Sequence, residues 1–360
     1  MVRVMSAFVS KVMTPAIWVA GLLWLASPVA SAAVIMMYHH VDESTPAVTS
    51  VTPAQFAEHL AALQREGFQV VRLDTLLARV ADGLPATARQ VAITFDDAYR
   101  SIYDNALPLL EKYGWQATVF INTDGVGRGS QALTVPMLRD MQRRGHLLAN
   151  HSRSHAHLVR RRRGESKRQW RHRVQDEIQS AAAQLQQWLG SAPPPWLAYP
   201  YGEHNGALRA LLKEQGLLGF AQHSGAIDGQ TDWQNIPRVA VNQYHADWAS
   251  LRDKLLALPL PVMQTRPVDG VTDDARPLLR LTLPGDWRQR GLNCFVSGRA
   301  MTPVILHESE HSVVTLASDD DVAPGRSRYT CTAPAAAGRY YWYSWLWMRR
   351  GADGQWYDES

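Results

Sequence analysis

Two architectures in series are predicted by this 360-residue sequence. The first, 33–258, is an α/β region built on a parallel sheet or barrel wrapped by helices. The second, 278–360, is a small all-β region. Three observations predict this arrangement. Short apolar runs alternate with amphipathic helical stretches from Ala33 to Leu258. Pro259, Pro261, Pro267, Gly270 and Pro277 then punctuate 259–277, which is linker chemistry. Beyond them only short strand-like runs follow, and about 80 residues of strands and turns suggest a β-sandwich. With 46% hydrophobic and 19% charged residues, the composition excludes a disordered chain, a collagen-like rod or a coiled coil.

Each element has a local cause. Val34–Tyr38 is a short apolar run. Thr52 caps a helix with Pro53 in its first position; Phe56, Leu60 and Leu63 line one face, and Gly67 ends it. Phe68–Val71 reads as a strand and Asp74–Val80 as a helix. Val91–Phe95, Ser101–Tyr113, Gln116–Ile121, Leu138–Arg144 and His146–Ala149 continue as strand, helix, strand, helix and strand. A long polar helix covers Glu165–Leu189, and another begins near Asn205. In the all-β region the runs are Leu278–Leu283, Leu292–Val296, Val304–Leu306, Val313–Ala317 and Tyr340–Met348. Tyr341, Tyr343, Trp345 and Trp347 share one face of the last run, and Tyr340, Trp342, Leu346 and Met348 share the other. One face belongs to the sandwich core; the other serves packing or stacks on sugar rings, which would make 278–360 a carbohydrate-binding accessory domain.

Residues 1–32 have the pattern of a cleavable secretory signal. Arg3 and Lys11 precede and open an apolar stretch from Val12 to Leu25, and Ala30-Ser31-Ala32 supplies small residues for a cut after Ala32. Pro15 interrupts the stretch, which is short for a membrane span of about 20 apolar residues. A periplasmic or secreted location is expected, and in those oxidising surroundings Cys294 and Cys331, the only two cysteines, are expected to pair. Lys and Arg total 37 against 33 acids. The formal charge of +4 falls to +2 once Arg3 and Lys11 are removed, too small a basic excess for a nucleic-acid partner. A local basic run (Arg160–Arg163, Lys167, Arg168, Arg171 and Arg173) reads as a solvated face or as a contact with an anionic envelope surface. The chain is expected to act as a monomer.

Three clusters carry chemistry. Thr94-Phe95-Asp96-Asp97 ends an apolar strand in adjacent carboxylates, which point in different directions and suit either a turn or a split between cation binding and proton transfer. His151-Ser152-Arg153-Ser154-His155 places two histidines four apart in a loop; with one carboxylate they make a two-His, one-acid metal site with open positions. His157 breaks that spacing and reads as a surface or supporting residue. Ala198-Tyr199-Pro200-Tyr201-Gly202 follows a strand and precedes a helix, a turn whose backbone N–H groups suit an oxyanion.

In this order the three clusters resemble the polysaccharide deacetylases of carbohydrate esterase family 4, the NodB-like fold, over roughly residues 33–258. Met37-Tyr38-His39-His40-Val41 is also similar to the start of the PgaB-like branch, which deacetylates poly-β-1,6-N-acetylglucosamine. The resemblance implies a distorted (β/α) barrel and a metal-dependent N-deacetylase of an N-acetylglucosamine polysaccharide. It implies Asp96 as general base, Asp97, His151 and His155 as metal ligands, the Tyr201 N–H as oxyanion donor, and His39 as general acid, with His40 the alternative. Tyr199 and Pro200 would lie against substrate. The divalent metal would be Zn²⁺, with Co²⁺, Ni²⁺ and Fe²⁺ also accepted by such donors. There are two departures: Ala198 stands where the family has an arginine that positions the base, and a late Leu-x-His motif is missing. Arg238, in an apolar stretch where an unpaired charge would be costly, is the expected replacement partner of Asp96 and a further substrate-side candidate. Rival readings are a peptidoglycan N-deacetylase, a xylan-type O-acetyl esterase, and a catalytically silent glycan-binding or export-assembly protein.

Overall fold

Alternation along the apolar runs decides how the α/β region closes. The computed structural model describes residues 32–83 and 89–358, so the signal segment expected at 1–32 lies, apart from Ala32, outside the described residues. Seven parallel strands form one sheet: β1 Val34–Tyr38, β2 Gln90–Asp96, β3 Thr118–Ile121, β4 Leu147–Asn150, β5 Trp196–Ala198, β6 Leu218–Phe220 and β7 Val239–Ala240. Their spatial order is β7-β1-β2-β3-β4-β5-β6, and Gln69–Val70 pairs with the start of β2. A bridge between Phe220 and Ile236 brings the two edges of the sheet together, giving the curved wall of a (β/α) barrel.

Successive strand residues face opposite sides. Ile35, Ala92, Phe120, Ala149, Ala198 and Phe220 pack together on the inner side. Met36, Ile93, Phe95, Val119 and Leu148 face the surrounding helices. By the same two-residue period, Asp96 shares the inner side with Ala92. The helices start as their caps dictate. Thr52 and Ser166 each form a reciprocal box with a glutamine three residues on, opening Pro53–Arg65 and Lys167–Leu189, and Asn205 caps Gly206–Glu214. The helix expected over Ser101–Tyr113 is divided: a wide π-type turn at Ile102–Ala106 runs into Leu107–Glu111. Pro108 sits at that junction and lacks the N–H a continuous helix requires.

The C-terminal strands form two sheets. Tyr340–Arg349 and Gly325–Pro334 lie at the middle of one, and Leu279–Pro284 and His311–Leu316 at the middle of the other. Leu279, Leu281, Trp287, Val314, Tyr329 and Trp347 fill the space between. The stretch 259–277, expected as a linker, is itself paired. Gln264–Arg266 joins one sheet and Val271–Thr272 the other, as short edge pieces between prolines and glycine. Cys294 and Cys331 are disulfide-bonded, directly opposite one another on neighbouring antiparallel strands. Trp345 and Trp347 enter the sandwich core, whereas Leu346 and Met348 pack against Leu197, Tyr199, Leu208 and Leu211 of the barrel. Both faces of the aromatic strand are thus used in packing. No described helix is long and apolar enough to cross a membrane.

Candidate active site

The carboxyl ends of β1, β2, β4, β5 and β6 supply one cluster. β2 is buried along its whole length and ends at Asp96. The next residue, Asp97, has φ 71°, a left-handed conformation that few non-glycine residues adopt. This sharp turn sends the two carboxylates different ways. Asp96 stays inside the barrel, fully buried, and accepts from Arg238 Nη1 at 2.6 Å and Nη2 at 2.7 Å. Gln222 Nε2, just past β6, adds a third donor at 3.2 Å. Burial opposes charge on Asp96, but the Arg238 guanidinium outweighs it and holds the carboxyl well below the usual carboxylate range. Arg238 comes from just ahead of β7 and also donates from Nε to the Ala221 carbonyl. Ala198 lies in the inner-side cluster with Ala92, Phe120 and Phe220, and the guanidinium that Asp96 engages comes from Arg238.

Asp97 faces the histidine loop. His151 follows β4, and its Nδ1 donates to the Ala198 carbonyl at 2.8 Å. That bond leaves Nε2 as the ring's lone-pair nitrogen. Nε2 is buried without a hydrogen-bond partner and lies 3.7 Å from Asp97 Oδ1. His155 Nε2 approaches the same oxygen at 3.5 Å. The loop holds this shape through left-handed Ser152 and His155 and through a bond from the His155 N–H to Ser152 Oγ at 3.1 Å. Glu177, buried on Lys167–Leu189, accepts from the Ser154 N–H and hydroxyl and from Arg153. Glu177 is a supporting residue that the sequence reading passed over. Its signal is a charge within the helix's buried stripe of Trp170, Val174, Ile178, Ala181 and Leu185.

Asp97, His151 and His155 offer donor atoms that all lie within 4.8 Å of one another. A buried acceptor nitrogen without a partner costs free energy unless something fills that role. Burial pushes Asp97 up to about 6 and His151 down to about 3. A carboxylate and two imidazoles converging in this way fit a divalent cation.

The other predicted residues separate into two groups. His39, half-buried at the end of β1, lies near enough for its charge to act on both Asp96 and Asp97. His40 is buried and stacked on Tyr99 with ring centroids 3.6 Å apart, and burial pushes its imidazole down to about 4. Tyr201, at φ 60°, sets its ring edge-on to His155 at 4.4 Å and flat on His157 at 3.9 Å. His157 in turn bonds Glu203 at 2.8 Å. The expected substrate contacts require correction. Tyr199 is fully buried with its hydroxyl on the Gln234 carbonyl. Pro200 is likewise buried, and Arg238 is spent on Asp96. All three support the site from behind and present no face to a sugar. Part of the basic run is also consumed internally, since Arg160 pairs with Glu203, Arg171 with Glu214 and Arg173 with Glu165.

Comparison with known proteins adds to this geometry. Residues 84–220 match the family model for polysaccharide deacetylase. A poly-beta-1,6-N-acetyl-D-glucosamine N-deacetylase of Staphylococcus epidermidis is 28% identical over 201 residues, spanning 54% of this chain and 68% of that protein. The Streptococcus pyogenes deacetylase PplD, solved with acetate, aligns with a TM-score of 0.55 at 22% identity over 63% of this chain and 99% of its own. IcaB from Ammonifex degensii aligns at 0.53 and 22%, over 61% and 98%. The structural likenesses speak for the fold, and the family match speaks for the barrel that bears the acid pair and the histidine loop. Within this chain, residues 84–220 therefore carry a polysaccharide deacetylase domain, a hydrolase domain that acts on carbon–nitrogen bonds, set in a barrel with the NodB-like fold of the solved deacetylases.

Proposed function

We propose that this protein is an exported, divalent-cation-dependent N-deacetylase of an N-acetylglucosamine polymer. The observation that carries the reading is the convergence of Asp97, His151 and His155, with the unpartnered His151 Nε2 aimed at their common point. A β-1,6-linked polymer is suggested by the activity named for the Staphylococcus epidermidis relative. Export is supported by the signal-like pattern of 1–32 and by the disulfide, which suits an oxidising compartment. Asp97, His151 and His155 would hold the cation, with Zn²⁺ the default for such donors. When bound, it polarises the acetamide carbonyl and acidifies water.

The remaining chemistry belongs to the chain. Asp96, kept ionised and oriented by Arg238, takes a proton from the attacking water as the carbon–oxygen bond forms. The Tyr201 N–H donates to the developing oxyanion, a contribution of about 3–4 kcal/mol for a well-placed donor. His39 delivers a proton to the sugar nitrogen as the carbon–nitrogen bond breaks, so the amine leaves neutral. One water is consumed, and acetate and a glucosamine unit are released. Acetate release from β-1,6-linked N-acetylglucosamine oligomers tests the reading. Activity should vanish on chelation, return with Zn²⁺ and be absent from Asp97→Ala. Release that survives chelation, or full turnover by Asp97→Ala, would refute it.

A further inference from the structure

We infer that the C-terminal β region is part of the catalytic site, with Arg326 and Tyr357 acting as positioning residues for the Tyr201 turn. The inference rests on the reading of Tyr201 as the oxyanion donor. Along Gly325–Pro334, Ser327, Tyr329, Cys331 and Ala333 are buried in the β region. The opposite positions, Arg326 and Arg328, face the open end of the barrel. The Arg326 guanidinium lies over the Tyr201 ring, 5.2 Å from its centroid, and 3.8 Å from Glu203. Two residues further on, Arg328 donates to the Gln222 carbonyl at 2.9 Å, and the Gln222 side chain donates to Asp96. One strand therefore reaches both the oxyanion turn and the proposed base.

Glu203 is the junction. It has no exposed surface. It accepts from His157 at 2.8 Å and from Arg160 at 3.2 Å on the barrel side. From the C-terminal side it accepts from the Tyr357 hydroxyl at 2.5 Å. Arg160 also donates to the Tyr357 carbonyl at 2.9 Å and lies under its ring at 4.4 Å. Tyr201 is thus gripped on one face by His157, itself held by Glu203, and overlain by Arg326. Its φ of 60° is a conformation that a tyrosine keeps only where its surroundings enforce it. The adjoining Gly202 admits no side chain, because a Cβ there would come 2.5 Å from Gln222 Cβ. The turn is clamped between the barrel and the C-terminal strand, and its N–H is aimed by that clamp.

The test compares wild type, Arg326→Ala, Arg326→Lys and Tyr357→Phe in the full-length chain. It reads kcat and KM for acetate release, bound Zn²⁺, and amide hydrogen exchange across residues 200–203. Arg326→Ala and Tyr357→Phe should lower kcat by about 10- to 100-fold through misplacement of the donor. KM and bound metal should be nearly unchanged, and exchange across the turn should accelerate. Arg326→Lys, which keeps a cation over the ring, should recover part of the loss. Unchanged exchange in both Arg326→Ala and Tyr357→Phe overturns the inference whatever the activity, and so does accelerated exchange with unaltered kcat. If the wild-type enzyme released no acetate from the polymer, the proposed substrate would fail, and the exchange measurement alone would still decide whether these residues hold the turn.

Discussion

Replacing Arg238 by methionine isolates the interaction on which the proposed base depends. Both partners are fully buried, and two contacts of 2.6 and 2.7 Å join them. Methionine keeps most of the apolar stem but loses the guanidinium over the Phe120 ring and with it every donor. Asp96 is then left with Gln222 alone, and the Ala221 carbonyl loses its partner. The gross attraction of the pair is the wrong measure, because forming it took two ions out of water. The relevant quantity is the penalty for one buried charge left uncompensated, about 3–5 kcal/mol. That is a large share of a typical total of roughly 5–15 kcal/mol. The double variant Asp96→Leu/Arg238→Met removes both charges, and most of the loss should return. Urea unfolding of wild type, both single variants and the double variant, with chelator present so that bound cation does not enter the difference, gives the coupling directly. A cost below about 1 kcal/mol for Arg238→Met, or a double variant whose loss is the sum of the single losses, would refute the reasoning.

Three further outcomes follow from the same geometry. Zn²⁺ at 100 times its dissociation constant should stabilise wild type by about 2.7 kcal/mol, seen as a raised thermal midpoint; Asp97→Ala and His151→Ala should lack the shift, and an equal shift in either would remove that residue from the site. His39→Ala should cut acetate release about 10²-fold with metal content and stability retained. His40→Ala should instead lower stability, having lost its stack on Tyr99, and the opposite pattern would exchange the two assignments. Glu203→Gln should cost about 1.5–3 kcal/mol at pH 7. Burial raises the Glu203 carboxyl, but His157, Tyr357 and Arg160 together hold it below its ordinary value. A depressed carboxyl stabilises the fold above the unfolded value of about 4.3, and the effect is lost as pH falls through the folded one. The gap between wild type and Glu203→Gln should therefore close on acidification, and a gap constant from pH 7 to pH 3 would contradict the assignment.

Much of the barrel is legible because its signals are local. Thr52 with Pro53, the buried run of β2 and Asn205 each announce an element within a few residues. Where the local signal is silent, the reading misses. Gly325–Pro334 is a ten-residue strand at the middle of its sheet, yet Arg326, Arg328, Thr330 and Thr332 on its outer face dilute the apolar pattern. Pro and Gly across 259–277 read as linker, although the short pieces between them pair with partners far along the chain, Thr282 opposite Gln264 and Met348 opposite Val271. The histidine pair is readable from its spacing, whereas the choice of Asp97 over Asp96 as its acid partner comes from the family resemblance. Tyr199 and Pro200 are not readable in the sequence, because only packing decides which side of a turn faces inward.

The site's own backbone explains why so many supports converge on it. Seven described non-glycine residues have positive φ, and four of them (Asp97, Ser152, His155 and Tyr201) surround the proposed cation position. At roughly 1–3 kcal/mol each, that turn of chain does not hold its shape by local preference. It is held from outside: Arg238 grips Asp96, Glu177 grips the histidine loop, and Glu203 with Arg326 and Tyr357 grips the Tyr201 turn. Two of these three anchors are buried carboxylates, and the third is a buried arginine on a carboxylate. Each is satisfied by partners distant in sequence, so each couples the geometry of the reacting groups to the integrity of the whole fold. The same logic applies to the proposed base, because Asp96 at the end of one strand is positioned by a guanidinium delivered from just ahead of another, Arg238 before β7.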